Sequence, residues 1–384
     1  MKKTEAIATV TEGTRTAPTS SSSWRRILSF RNVSAVYIFV IIFALFAIIT
    51  PKTFLSPGTW VLLLDEQTIT VLAALAVLIP LNVAVFNLAI GAEVGFAVIL
   101  VAVLQVNLQL PWPLAVILAL ACGALIGTIS GLIITRLKID SFIATLGMSS
   151  LLTAGLVLLS GQRQVLGLGD GFREFATGGI PLGGTFKITW PVLIMLAVAF
   201  LLWYVMEKTP LGRRMYAAGF NPDGARLSGV NVARLQIGAL VAGGMVAALA
   251  GTLLASRINA GDPTVGPNLL LPALTAVFLG STQFKGGRFN VWGTVVSVYV
   301  LAVGVKGLQL LGATDWVENA FNGLALLGAV ALSRWERTSK RTAAIKRATT
   351  FGRRARTELA EQQAAADPAR VPEELKKPDA DPQG

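Results

Sequence analysis

The chain has 384 residues, of which 53% are hydrophobic and 14% charged, a balance that excludes an ordinary soluble protein although the length would suit two or three soluble domains. It contains no histidine and a single cysteine, Cys122, which removes histidine acid–base chemistry, histidine metal sites, intrachain disulfides and cysteine metal clusters. The net charge of +12 sits disproportionately at the ends: residues 1–33 and 334–384 hold 18 of the 33 Lys and Arg, and the absence of interleaved aromatics makes this a membrane-topology signal rather than a nucleic-acid surface.

In chain order, residues 1–23 are rich in Ser, Thr and Ala without a hydrophobic period, and read as a disordered arm. They do not read as a signal peptide, because no apolar stretch with a small-residue cleavage site follows closely. Trp24, Arg25, Arg26 and Arg31 form a basic aromatic collar suited to a cytoplasmic membrane interface. A bilayer core needs about 20 apolar residues in a helix. Ten stretches qualify: 34–50, 60–79, 83–104, 114–135, 141–160, 189–206, 236–256, 268–283, 291–311 and 316–333. The run 60–104 is nearly continuous but carries Pro80, Asn82, Asn87 and Gly91, the pattern of a broken or re-entrant helix. The spans make one membrane domain, 34–333, between the arm 1–33 and a largely disordered tail, 334–384, that starts basic and ends acidic. The basic half of the tail suits either a helix on anionic lipid or a solvated extension.

An even number of spans puts both termini on one side. Taking that side as cytoplasmic places 27 Lys and Arg inside and leaves Lys52, Arg163, Arg173, Lys187 and Arg257 outside, with Lys306 within a span. The positive-inside rule therefore favours an all-α polytopic protein of about ten spans with cytoplasmic N- and C-termini.

The residues offer no energy source. There is no phosphate-binding loop, since Gly280–Lys285 lacks a Gly before its Lys, and there is no nucleophile–histidine pair. A channel, a secondary transporter, or the membrane part of a machine with a separate motor remains. Gly123, Gly127 and Gly131 share one helix face, and Gly244, Ala248 and Thr252 repeat the pattern. Such stripes let backbones approach closely, either inside one subunit or at a seam between two.

Polar groups at membrane depth are costly and mark function. Asn82, Asn87 and Glu93 lie in the broken stretch with Phe86, and Lys306 and Gln309 toward the outer end of 291–311; these six are the candidate path residues. Asp65 and Glu66 lie near an outer end, where water could satisfy them, and Lys306 could likewise snorkel outward. In the long loop 207–235, Asn221 is a good N-cap, Pro222 suits the first helical position, Asp223 suits the positive helix end and Gly229 suits a left-handed terminus. One short helix, about 222–228, then presents Arg226 and Leu227, as a docking knob or as a simple turn.

Several segments, in order over roughly residues 60–333, resemble the ribose-type sugar permeases of ATP-binding-cassette (ABC) importers. They are Leu137-Lys-Ile-Asp-Ser-Phe-Ile-Ala-Thr-Leu-Gly-Met148, Thr209-Pro-Leu-Gly-Arg213 with Ala225-Arg-Leu-Ser-Gly-Val-Asn231, Ala250-Gly-Thr-Leu-Leu-Ala-Ser256, Pro263 with Gly266, Gly286-Gly-Arg288 with Gly293-Thr294, and Gly307-Leu-Gln-Leu-Leu-Gly312. The resemblance implies the ABC-importer permease fold in a bacterial plasma membrane. It also implies a second permease copy or paralogue, cytoplasmic ABC ATPase subunits, and an extracytoplasmic solute-binding protein. The helix around 222–228 would then contact the ATPase. No cofactor belongs to this chain, because ATP and Mg would be bound by the partner, and no nucleic acid is involved.

The chain departs from the family pattern at telling positions. Asn87 and Ala89 replace Asp and Ser, Leu270 and Pro272 stand where the family has acids, and Lys306 replaces a usual Asn. The path becomes less acidic, which opens it to an acidic sugar or other anionic solute. The expectation is a permease subunit, not an enzyme, for a sugar or sugar-like solute. The alternatives are a branched-chain amino-acid or nucleoside ABC permease, an ion-coupled secondary transporter for which only Glu93 supplies a buried acid, and a non-transporting scaffold.

Overall fold

In the computed structural model, residues 34–183, 186–283, 288–314 and 316–331 are described. The arm 1–33 with its collar, and the tail from residue 332, lie outside them. The order is α1 (Ser34–Ile49), α2 (Pro51–Phe54), α3 (Pro57–Leu81), α4 (Ile90–Val106), α5 (Trp112–Arg136), α6 (Ser141–Ser160), α7 (Asp170–Thr177), β1 (Gly179–Gly183), β2 (Phe186–Thr189), α8 (Trp190–Lys208), α9 (Pro210–Phe220), α10 (Pro222–Leu227), α11 (Val232–Ile258), α12 (Leu270–Gln283) and α13 (Val291–Leu310). A further helix, α14, covers 316–331.

Each expected span contains a helix among the described residues, although 83–104 is helical only from Ile90. Six helices, α3, α5, α6, α8, α11 and α13, are long and apolar enough to cross a membrane; Phe39–Ile49 of α1, the whole of α4 and the segment Pro267–Ser281 are shorter apolar helices. The protein is thus a multi-pass, almost entirely helical membrane protein, its sheet among the described residues being the antiparallel hairpin of β1 and β2. Apolar side chains around a helix do not separate its lipid face from its protein face, so neighbours decide which is which. The centre is α3 and α13, each 67% buried over its apolar window, whereas α8 at 22% lies at the rim.

Close backbone contact fixes the interior. The small face of α5 packs on α11: a Cβ on Gly123 would lie 2.8 Å from the Ala248 Cβ, and one on Gly127 2.6 Å from the Leu240 carbonyl carbon. The stripe therefore closes within this chain, and the alternative of a subunit seam on that face is set aside. On α3, Pro80 cannot donate to the Ala76 carbonyl. That oxygen faces Gly243 of α11, whose missing side chain leaves it room. Gly307 of α13 similarly receives the Phe46 ring from α1, which belongs to an aromatic cluster with Phe43, Phe54 and Trp60.

Two expectations need correction. The segment 207–235 carries two helices rather than one: α9 precedes α10, with Thr209 capping it through the Gly212 N–H at 3.4 Å. The stretch 268–283 is not a plain span. Its chain dips inward over 259–269, and α12 starts only where Leu270 and Pro267 touch Gly91, near the start of α4.

Candidate functional site

Chain direction separates the two ends of the bundle. At one end Arg257 of α11 pairs with Asp65 of α3 at 3.6 Å and donates to the Asp65 carbonyl at 3.2 Å. Thr189, which ends the hairpin, donates to the same carboxylate. Beside them, Lys306 approaches Glu66 at 3.9 Å. At the opposite end lie Asn82, α9, α10 and Arg288.

Between the ends, the irregular segment 82–89 enters from the α9 side and the segment 259–269 from the Asp65 side. They meet where Gly91 and Gly95 of α4 touch Gly266, leaving no space for a Cβ on Gly266. Val94 of α4 packs on Gly251 of α11, so at 1.5 Å per residue α4 begins about 16 Å inside the Ile258 end of a helix about 40 Å long. The N-termini of α4 and α12 thus face one another at mid-depth, and both carry the positive end of a helix dipole. Interrupted helices of this kind build solute and ion sites in membrane transporters.

The irregular backbone of 82–89 needs hydrogen-bond partners because lipid offers none. The Phe86 N–H donates to Ser141 Oγ at 3.3 Å and the Leu88 N–H to Thr145 Oγ1 at 3.2 Å, both on α6. Ala84 holds the turn with φ of +57°. Asn87 accepts from the Ala89 N–H at 3.0 Å and donates to Glu93 Oε1 at 3.1 Å. Glu93 is 2% exposed, and its Oε2 has no hydrogen-bond partner among the described residues.

The structure therefore splits the six candidate path residues. Asn87 and Glu93 form one buried pair at the junction, with Phe86 at its exposed edge. Asn82 is buried elsewhere. Its amide donates to the Leu78 carbonyl at 3.1 Å and to Met206 Sδ at 3.7 Å, and its carbonyl abuts Gly219 of α9. Lys306 is tied to Glu66, and Gln309 is exposed beyond it. From Glu66 to Asn82 is about 24 Å along α3, so these residues do not share one site. Leu270 belongs to the junction instead, and the only hint of it in the sequence was its departure from the family pattern.

The opposite end presents a compact knob. Asn221 caps α10 through the Gly224 N–H at 3.0 Å, Asp223 pairs with Arg226 at 3.0 Å, and Gly229 turns the chain with φ of +81°. Ala225 is buried with Ala218 and Val232, which seats the helix, while Leu227 is 92% exposed. Arg288 lies over the Tyr216 ring at 4.3 Å and near the Phe220 ring at 5.8 Å. The Tyr216 hydroxyl donates to the Phe289 carbonyl at 3.2 Å. Burial pushes the Tyr216 phenol up to about 12; Glu207 adds to the shift and Arg288 opposes it.

Interrupted helices meeting at mid-depth, with an exposed helical knob at one end, are an arrangement that membrane transporters use. The comparisons give the chain a family. The profile of the family described as branched-chain amino acid transport system / permease component matches residues 61–330, and the chain belongs to that family. It is 34% identical over 304 residues to a ribose import permease of Bacillus subtilis, covering 78% of this chain and 90% of that one. It is 31% identical over 310 residues to a fructose import permease of Rhizobium meliloti, covering 79% and 86%. A galactose/methyl galactoside import permease of Escherichia coli is 28% identical over 328 residues, covering 82% and 97%. No solved structure matches.

Proposed function

We propose that the chain is the permease subunit of a monosaccharide ABC importer in a bacterial inner membrane, crossing it ten times with both termini cytoplasmic. Two of the crossings are completed by the half-depth helices α4 and α12. The sugar specificities of the relatives support a sugar over an amino acid or nucleoside. Two copies, or one copy with a paralogue, enclose the path; a binding protein delivers solute from outside; and ATPase subunits inside supply the work.

The observation that carries this reading is α10, a capped helix whose Leu227 is 92% exposed although its base is buried. An apolar side chain so placed on a rigid seat suits insertion into a partner's groove. ATP-driven closure of the ATPase pair would move α9 and α10 together and bias the conduit between outward- and inward-open states. Near the α4–α12 junction, Asn87, Glu93, Phe86 and Leu270 would line the route. The two positive helix ends that meet there favour a hydroxyl-rich or acidic sugar.

Leu227→Asp and Arg226→Glu are expected to cut solute-stimulated ATP hydrolysis in the reconstituted importer at least tenfold while leaving the permease folded. Unchanged stimulation in both variants would remove α10 from the coupling role. A thermal-shift screen of the cognate binding protein against neutral and acidic sugars would name the solute.

A further inference from the structure

The Arg288 side chain bridges two parts of the bundle. Arg288 belongs to the short connection between α12 and α13, and its guanidinium stacks on Tyr216 and approaches Phe220, both on α9. The contact is doubled by the Tyr216 hydroxyl, which donates to the next residue's carbonyl, Phe289, at 3.2 Å. The described end of this connection, 288–290, is tightly held. Asn290 is 5% exposed; its amide donates to the carbonyls of Gly280 at 3.3 Å and Arg288 at 3.1 Å, and it accepts the Gly293 N–H at 2.7 Å. Gly280 and Gly293 touch backbone to backbone, and Phe289 meets Phe278 edge to face at 5.7 Å. Residues 288–290 therefore tie the ends of α12 and α13 together, and Arg288 and Tyr216 fasten them to α9.

We propose that Arg288 is a positioning residue that transmits movement of the α9–α10 knob to the α12–α13 pair. The route leads on to the mid-depth junction, because α12 begins at Gly91. A guanidinium stacked on an aromatic face holds through planarity and charge together, and an ammonium reproduces only the charge. The inference rests on the importer reading for its direction of work. It is separable from that reading, because it makes a claim about rigid linkage that needs no solute.

Cys122 is the only cysteine, so a Cys122→Ser background accepts spin labels at Ala217 on α9 and Trp292 on α13. With Arg288 present, the inter-label distance should be narrow and equal in nucleotide-free and vanadate-trapped complexes with the ATPase. Arg288→Ala should broaden the distance or make it differ between the two states. In the assembled importer, Arg288→Ala should retain ATPase binding within threefold, keep most ATP hydrolysis, and lower solute moved per ATP at least tenfold. Arg288→Lys should restore a substantial part. Equal distances in Arg288→Ala, or transport per ATP within twofold of the parent, would overturn the proposal; so would loss of ATPase binding, which would make Arg288 a docking contact. If the parent complex moves no sugar, the importer reading fails while the distance measurement still decides the linkage.

Discussion

Gly127→Ala tests whether α5 and α11 are held by backbone contact. The new Cβ would lie 2.6 Å from the Leu240 carbonyl carbon and 2.8 Å from Val241 Cα. Both are main-chain atoms, so no rotamer change can yield; the helices must part by about 1 Å to restore contacts of about 3.5 Å or more. Overpacking of this kind costs about 1–3 kcal/mol, and a backbone clash belongs at the upper end. Alanine recovers roughly 1 kcal/mol over glycine within a helix, which leaves a net loss of about 2 kcal/mol. Gly147→Ala on α6 is the control, because a Cβ there meets nothing within 4 Å; it keeps the propensity gain of roughly 1 kcal/mol without the clash. Thermal scanning of the purified permease by tryptophan fluorescence should place Gly127→Ala about 3 °C below the parent and Gly147→Ala at or above it. A Gly127→Ala protein melting with the parent would refute the packing argument.

Two other perturbations follow from the ends of the bundle. The Tyr216 phenol, raised to about 12, stays neutral past the ordinary tyrosine range. Its stabilising contribution is complete below about pH 10 and disappears as pH rises toward 12. The difference in phenolate absorbance between the parent and Tyr216→Phe should therefore show a step near pH 12, and a step near pH 10 would contradict the burial. At the other end, Arg257→Ala removes the partner of a carboxylate that is largely covered and should cost about 1–2 kcal/mol, between the values for surface and buried pairs. Lys306→Ala, facing a half-exposed Glu66 at 3.9 Å, should cost under about 1 kcal/mol. Equal losses in the two variants by thermal scanning would show that the pairs have equivalent surroundings.

The features legible in the sequence are those set by local chemistry. A run of apolar residues long enough for a bilayer has few other uses, so the helices fell where hydropathy put them. Asn221, Pro222 and Gly229 likewise specify α10 within nine residues, because caps act on their immediate neighbours. The interruption at 82–89 showed through Asn82 and Asn87, which lipid does not tolerate without partners. What stayed hidden depends on contacts across the chain. Asn82 meets Met206, 124 positions away, and nothing near either residue announces it. The inward dip of 259–269 was missed because its residues, from Asn259 to Leu269, resemble an ordinary extracytoplasmic loop; only Gly266 against Gly91 and Gly95 reveals its depth. α9 was missed because its basic, glycine-containing sequence looks like a loop until Gly212, Met215 and Ala218 are seen to be buried together.

The opposed segments 82–89 and 259–269 bear on insulation. They enter from opposite ends of the bundle and stop against each other at Gly91, Gly95 and Gly266, so no single wall runs the full depth there. An importer that moved one segment while the other stayed in place would keep its ion gradients while passing a sugar, in the manner of an airlock.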